Sequence, residues 1–99
     1  MNTEWHVYLL ECADGTFYCG VSNDVERRVD QHNGKLPGGA KYTHPRRPVK
    51  LMASCRCESK SAAYSLEHRV KSKARSKKLA TLQAYVAVFD SIAVRRTQT

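Results

Sequence analysis

The sequence has no apolar run approaching the ~20 residues that a membrane-spanning helix requires. Its longest candidate, AYVAVFDSIAV, is interrupted by Asp90. The N-terminal stretch MNTEWHVYLLEC has no basic segment and carries Glu4 and Glu11, so it does not match a secretory signal peptide. We therefore expect an intracellular, cytoplasmic protein without a membrane partner.

Acidic residues are also scarce, since nine Asp and Glu stand against 17 Lys and Arg. The resulting net charge is +8 in a chain of 99 residues, which is long enough for one hydrophobic core. We therefore expect a single domain over 1–99. A small domain with this charge typically binds phosphate groups, and without a membrane signal the charge favours a nucleic-acid partner.

The four cysteines, Cys12, Cys19, Cys55 and Cys57, have a spacing that fits poorly to a zinc site. In a reducing compartment we do not expect disulfides between them. We expect these side chains to be small buried apolar groups.

Two strands at the start of the chain are predicted to form a hairpin. HVYLLEC (6–12) and TFYCGVS (16–22) are rich in β-formers and flank Ala-Asp-Gly. A three-residue loop with Gly15 at positive φ sets the register. Because strand side chains alternate between faces, Tyr8 and Tyr18 then point to the same face, whereas a two-residue loop would separate them. We predict the three-residue loop.

The next segment, SNDVERRVDQHNG, predicts a helix that begins at an Asn23 N-cap and ends at Asn33-Gly34. Arg28 and His32 lie one turn apart on it. A basic loop rich in glycine and proline follows over 34–48.

The remainder predicts a third strand over 49–59 and a helix capped by Ser59, with Ala63, Leu66 and Val70 on its buried face. A solvated basic stretch, KSKARSKK, then precedes a C-terminal helix and tail over 81–99. The order ββ-α-β-α-α predicts an α+β fold, with a small three-stranded antiparallel β-sheet flanked by helices.

Five residues become informative as a set. Tyr8, Tyr18, Arg28, His32 and Glu67 each have an ordinary structural explanation, such as an i,i+4 ion pair for the glutamate. Together they offer a proton acceptor, a phosphate clamp and a metal ligand. Phosphodiester hydrolysis requires these functions, because a water must be positioned and the charge of the phosphate must be stabilised.

The ordered motifs resemble the GIY-YIG endonuclease superfamily, in particular its small stand-alone, UPF0213-like members. HVY (6–8) stands in the place of GIY and YCG (18–20) in the place of YIG. Arg28 follows the second tyrosine by ten residues, and Glu67 in SLEHRVK takes the position of the metal-binding glutamate. Two residues depart from the tripeptides, since His and Cys replace a Gly and an Ile. The likeness covers about 4–80, which we take as the core of the domain.

The resemblance implies an endonuclease that depends on Mg²⁺ or Mn²⁺ and hydrolyses phosphodiester bonds in DNA, in the context of DNA repair or recombination. It implies that Tyr8 positions or deprotonates the attacking water with help from Tyr18 or His32. Arg28 would stabilise the phosphate and Glu67 would hold the metal. Recognition is expected to depend on DNA structure rather than sequence, and RNA stays open as a substrate. The main alternative is a non-catalytic basic nucleic-acid-binding module, and a second is a structural or protein-interaction domain whose charge is incidental.

Basic residues in the glycine-rich loop, at the start of the third strand and around the end of the second helix are predicted to contact the nucleic-acid backbone. They are Lys41, Arg46, Arg47, Lys50, Lys71, Lys73, Arg75, Lys77 and Lys78.

Overall fold

The computed structural model describes the backbone of residues 4–97 and the side chains of residues 4–86. Its three strands are β1 (Trp5–Glu11), β2 (Phe17–Ser22) and β3 (Lys50–Cys57). They form one sheet in the order β2-β1-β3, and β1 is antiparallel to both neighbours. The predicted α+β fold with a three-stranded antiparallel sheet is confirmed.

The β1–β2 hairpin has the predicted register. Tyr8 pairs with Gly20, and Leu10 pairs with Tyr18. Gly15 has a φ of 83°, which is the left-handed conformation that the three-residue loop requires. Tyr8 and Tyr18 therefore share one face of the sheet, as the loop length predicted.

The helices are α1 (Val25–His32), α2 (Lys60–Lys71) and α3 (Arg75–Thr97). The predicted element order is confirmed, but α3 begins inside the solvated basic stretch that was predicted to precede the C-terminal helix. Lysine and arginine are good helix formers, so the basic composition does not oppose a helix there. Arg75 also anchors the helix start, since its Nε donates to the Gly15 carbonyl at 2.5 Å.

The N-cap of α1 is Asp24 and not the predicted Asn23. The Asp24 carboxylate accepts a hydrogen bond from the Arg27 backbone N–H at 3.2 Å. The predicted cap of α2 is confirmed, because the Ser59 hydroxyl oxygen accepts from the Ala62 N–H at 3.0 Å. Two adjacent residues of good capping type made the first helix start ambiguous by one position.

The sheet separates two apolar clusters, because side chains alternate along β1. One face packs against α2 and α3, through Val7, Leu9, Cys19, Cys55, Ala63, Leu66, Val70 and Leu82. The other face packs against α1 and the loop before β3, through Tyr8, Leu10, Cys12 and Val49 with Tyr18, Val25 and Val29. The four cysteines are free thiols and three of them are buried, as expected. Within the described residues, no helix has the length and apolar character to cross a membrane.

Candidate active site

The aromatic ring of Tyr8 lies over Gly20 of the neighbouring strand. A β-carbon added at Gly20 would come 2.5 Å from Cζ and 2.9 Å from Cε1 of that ring. Only a residue without a side chain permits this approach. The glycine of the YCG motif therefore makes room for the tyrosine of the HVY motif, and Tyr8 is left with 1 % of its surface exposed.

Helix α1 brings His32 onto the two tyrosines. The Tyr8 hydroxyl and His32 Nε2 are 2.8 Å apart in a buried hydrogen bond, and His32 has no exposed surface. The Tyr18 ring meets the His32 ring edge-on, with 5.0 Å between centroids, and lies 6.4 Å from the Tyr8 ring. The structure therefore unites three of the five predicted site residues in one aromatic cluster.

The loop after α1 completes the environment of His32. Thr43 Oγ1 lies 2.9 Å from His32 Nδ1, and the Ala40 backbone N–H donates to the same nitrogen at 3.3 Å. Thr43 is fully buried. Sequence reasoning missed both residues, because they lie in a segment without hydrophobic periodicity.

Burial sets the protonation states of the cluster. Desolvation, followed by the charges of Arg28 and Arg47, lowers the pKa of His32 to about 4. Desolvation and the nearby Tyr18 raise the pKa of Tyr8, while a hydrogen bond and the charge of Arg28 act in the opposite direction. At neutral pH the pair is therefore a neutral phenol bonded to a neutral imidazole.

Arg28 borders this pair and is half-buried. Its Nη1 donates to Gln31 Oε1 at 2.9 Å and to the Gly38 carbonyl at 2.6 Å. Its charge lowers the pKa of His32 and opposes the rise in the pKa of Tyr8. Arg28 thus joins the aromatic cluster to the loop that covers it.

Tyr42 was not predicted as a site residue, yet its ring stacks on Tyr18 with 5.9 Å between centroids. The Arg46 guanidinium lies 4.0 Å from the centroid of the Tyr42 ring and forms an ion pair with Asp14 at 3.1 Å. Arg46 was predicted to contact nucleic acid. In this structure it ties the loop to the β1–β2 hairpin.

Glu67 approaches strand β2 from α2, on the face opposite Tyr18. Its carboxylate pairs with Lys71 at 3.4 Å, and its side chain is 18 % exposed. Burial, and then the charge of Glu67, raise the pKa of the Cys19 thiol on that face to about 12. In the part of the chain that the structure describes, none of these interactions joins Glu67 to the aromatic cluster.

The side chains at the site could bind a metal ion only together with the substrate. Within residues 4–86, no group of three or more His, Cys, Asp or Glu side chains could hold a metal. Mg²⁺ commonly keeps several waters and takes one or two carboxylates together with substrate phosphates. The single carboxylate of Glu67 could bind an Mg²⁺ ion whose other ligands are waters and substrate phosphates, but it could not bind the ion alone.

Several predicted phosphate contacts have structural partners instead. Arg47 Nε donates to the His32 carbonyl at 2.6 Å, at the end of α1. Lys78 Nζ donates to the Lys71 carbonyl at 3.0 Å and the Lys73 carbonyl at 2.7 Å, beyond the end of α2. Arg75 bonds the hairpin loop and lies over an aromatic ring of β2. These side chains therefore stabilise helix ends and loops.

Four of the lysines predicted to contact nucleic acid are exposed and have no such structural partner. In the described side chains, no hydrogen bond or ion pair joins their ammonium groups to a partner. They are Lys41, Lys50, Lys73 and Lys77. Their charge is available to an external anion.

The model of the GIY-YIG catalytic domain matches residues 4–80 of the sequence. This chain belongs to the GIY-YIG family. The resemblance to this family that the sequence motifs indicated is therefore confirmed. The family is a superfamily of nucleases.

Relatives of the GIY-YIG protein include a UPF0213 protein from Natronomonas pharaonis, 49% identical over 79% of this chain and 89% of the relative. A UPF0213 protein from Streptococcus agalactiae is 46% identical over 81% of this chain and 89% of the relative. Among solved structures, a UPF0213 protein from Bacillus halodurans is similar with a TM-score of 0.51 and 41% identity, covering 82% of this chain and 84% of that one. A protein from E. faecalis has a TM-score of 0.58 and 36% identity, covering 83% and 85%.

The first motif departs from the family name at His6. This side chain lines a cleft of about 480 Å³ between the sheet and α1. Asp24, Glu26 and Asp30 line the same cleft, so its charge opposes the binding of a phosphate. The cleft is therefore acidic, whereas the surface beside Tyr18 is basic and aromatic.

Proposed function

We propose that this GIY-YIG protein is an Mg²⁺-dependent endonuclease that hydrolyses phosphodiester bonds in DNA and selects its substrate by structure rather than by sequence. The supporting observation is the buried hydrogen bond between Tyr8 and His32, with Arg28 at its border. Burying titratable groups is costly, and such groups cluster where a reaction uses them. A surface that only binds phosphate needs exposed cations and no such pair.

In this proposal Arg28 binds the phosphate and stabilises the charge that develops on it, since a guanidinium donates to two phosphate oxygens at once. Tyr8 positions the attacking water, and Tyr18 or His32 assists. To deprotonate that water, Tyr8 first releases its own proton to solvent, which the charge of Arg28 and of a bound metal would favour, and the phenolate then takes the proton of the water. The Tyr18 ring is the more exposed of the two tyrosines, so substrate reaches the cluster from its side.

Glu67 would hold the Mg²⁺ or Mn²⁺ ion, which when bound supplies positive charge at the leaving oxygen. Because α2 packs on the sheet face opposite Tyr8, this role requires the phosphate to lie at the edge strand β2, where both faces can be reached. The ion pair with Lys71 competes for the same carboxylate. We expect Lys71 to turn to a substrate phosphate when DNA binds, which frees Glu67 for the metal. The expected products carry a 5′-phosphate and a 3′-hydroxyl.

A non-catalytic nucleic-acid-binding module is the second candidate. The net charge of +8 supports it as well as it supports an enzyme. The two candidates differ in one result, which is whether the DNA backbone is broken.

The test is incubation with a panel of branched, nicked and linear DNAs, with and without Mg²⁺ or Mn²⁺. The key variant is Glu67→Gln, and Glu26→Gln, which removes an exposed acid of α1, is the matched control. We expect Glu67→Gln to lose cleavage by ~100-fold or more while it keeps DNA affinity. Its free energy of unfolding should change by no more than about 0.5 kcal/mol, since the loss of an i,i+4 pair is offset by the lower cost of burying an uncharged side chain.

Two results would contradict parts of this proposal. Cleavage by Glu67→Gln at the wild-type rate would remove the glutamate from the mechanism. Salt-sensitive DNA binding by the wild type, without cleavage of any DNA or RNA at any metal concentration, would favour the binding module.

A further inference from the structure

The hydrogen bonds at the His32 ring decide which of its nitrogens carries the proton. The Ala40 backbone N–H is an obligatory donor, and it is directed at Nδ1 from 3.3 Å. A nitrogen that accepts a hydrogen bond holds no proton of its own. In the neutral ring the one proton is then on Nε2, which faces the Tyr8 hydroxyl.

Thr43 reinforces this arrangement. Its hydroxyl has two acceptors in reach, His32 Nδ1 at 2.9 Å and the Ala40 carbonyl at 3.0 Å. That carbonyl already accepts the His44 backbone N–H at 3.3 Å. An unprotonated Nδ1 only 2.9 Å from Oγ1 is favourable only if the Thr43 hydroxyl donates to it, so Thr43 and the Ala40 N–H share the single lone pair of Nδ1.

We propose that Ala40 and Thr43 together hold His32 as the Nε2–H tautomer, which makes His32 a hydrogen-bond donor to the Tyr8 oxygen and Thr43 a positioning residue. Tyr8 then directs its own proton away from His32. The hydrogen bond from His32 Nε2–H and the nearby charge of Arg28 both favour negative charge on the phenol oxygen.

The consequence for catalysis rests on the proposed function. It concerns whether His32 can act as the general base. A nitrogen that donates to Tyr8 does not receive the proton of Tyr8 or of the attacking water. His32 therefore assists Tyr8 by orienting and stabilising its oxygen, and the general base is not the imidazole. The tautomer itself does not depend on any activity.

The direct test is the ¹⁵N chemical shift of each His32 ring nitrogen at neutral pH, since protonated and unprotonated ring nitrogens resonate far apart. His32→Gln identifies the signals among those of the other histidines. We expect Nδ1 to be unprotonated and Nε2 protonated in the wild type and in Thr43→Ser, which keeps the hydroxyl. Thr43→Val keeps the side-chain shape without the hydroxyl and should show a population with the proton on Nδ1.

A wild-type spectrum with the proton on Nδ1 would overturn the proposal. A Thr43→Val spectrum identical to that of the wild type would overturn the role of Thr43. If Thr43→Val does not fold, the wild-type and Thr43→Ser spectra still decide the tautomer.

The second readout is cleavage by the same variants. Thr43→Val should lower kcat on the order of 10-fold, as loss of the hydrogen-bond partner of a site histidine typically does, with KM unchanged. Thr43→Ser should restore most of kcat, because it restores the donor. If the protein shows the Nε2–H tautomer but cleaves no nucleic acid, only the proposed function is contradicted. If the protein cleaves DNA but the His32 proton is on Nδ1, only the inference about the tautomer is contradicted.

Discussion

Acid should destabilise this protein in the pH range where an exposed histidine titrates, because His32 is buried as a neutral ring. Its pKa is lowered from 6.5 to about 4 in the folded chain. Between these two values the unfolded chain binds a proton that the folded chain does not bind. The contribution of His32 to stability is therefore complete above about pH 6.5 and is lost as the pH falls toward 4.

The size of the effect follows from the two pKa values. A difference from 6.5 to about 4, at about 1.4 kcal/mol per pKa unit, gives on the order of 3 kcal/mol. Such a loss is a large part of the ~5–15 kcal/mol that holds a typical domain folded. Burial raises the pKa of Tyr8, which is bonded to this ring, so Tyr8 stays neutral in this range and the change belongs to the histidine.

The assay is urea unfolding followed by circular dichroism at several pH values between about pH 7 and about pH 4.5. The wild type should lose stability steadily, and His44→Gln, which removes an exposed histidine, should follow the same curve. His32→Gln should start from a lower stability and give a flatter curve. Parallel curves for the wild type and His32→Gln would refute the reasoning, because the acid sensitivity would then come from other groups.

Two further predictions follow from the site and the surface. Gly20→Ala should push the Tyr8 ring away from β2 and lower the free energy of unfolding by about 1–3 kcal/mol, the usual cost of overpacking, and urea unfolding measures this. Replacing Lys41 and Lys73 together with Gln should reduce the slope of log affinity for DNA against log salt by about two, with unchanged thermal stability. Lys78→Met is the control, since it should lower thermal stability by removing the donor to three carbonyls.

Each of these has a clear contrary outcome. Wild-type stability in Gly20→Ala would show that the Tyr8 ring has room to move. A salt slope that is unchanged in the double lysine variant would place the nucleic acid on another surface.

The part of the site on regular structure was predictable from the sequence. The length of the hairpin loop fixes the strand register, and the register places Tyr8 and Tyr18 on one face. Helical spacing then brings His32 one turn beyond Arg28. These are local rules of geometry, which need no knowledge of the rest of the fold.

The part of the site in the loop was not predictable in this way. Thr43 and Ala40 meet His32 because the chain turns back over α1, and no periodic pattern encodes that path. Tyr42 stacks on Tyr18 for the same reason. The sequence indicated a basic loop, whereas its role at the site comes from a threonine hydroxyl, a backbone N–H and an aromatic ring.

The charge of the chain also overstates its phosphate-binding surface. Nine basic residues were predicted as contacts, and at about 0.9 per neutralised phosphate they imply a salt slope near eight. Five of them, Arg46, Arg47, Lys71, Arg75 and Lys78, already pair with a carboxylate or donate to a backbone carbonyl. The remaining four lysines, joined by Lys71 if it turns to a phosphate as proposed, imply a slope of about four to five. A measured slope close to eight would therefore mean that arginines and lysines leave their internal partners when DNA binds, and the loop over His32 would have to rearrange with them.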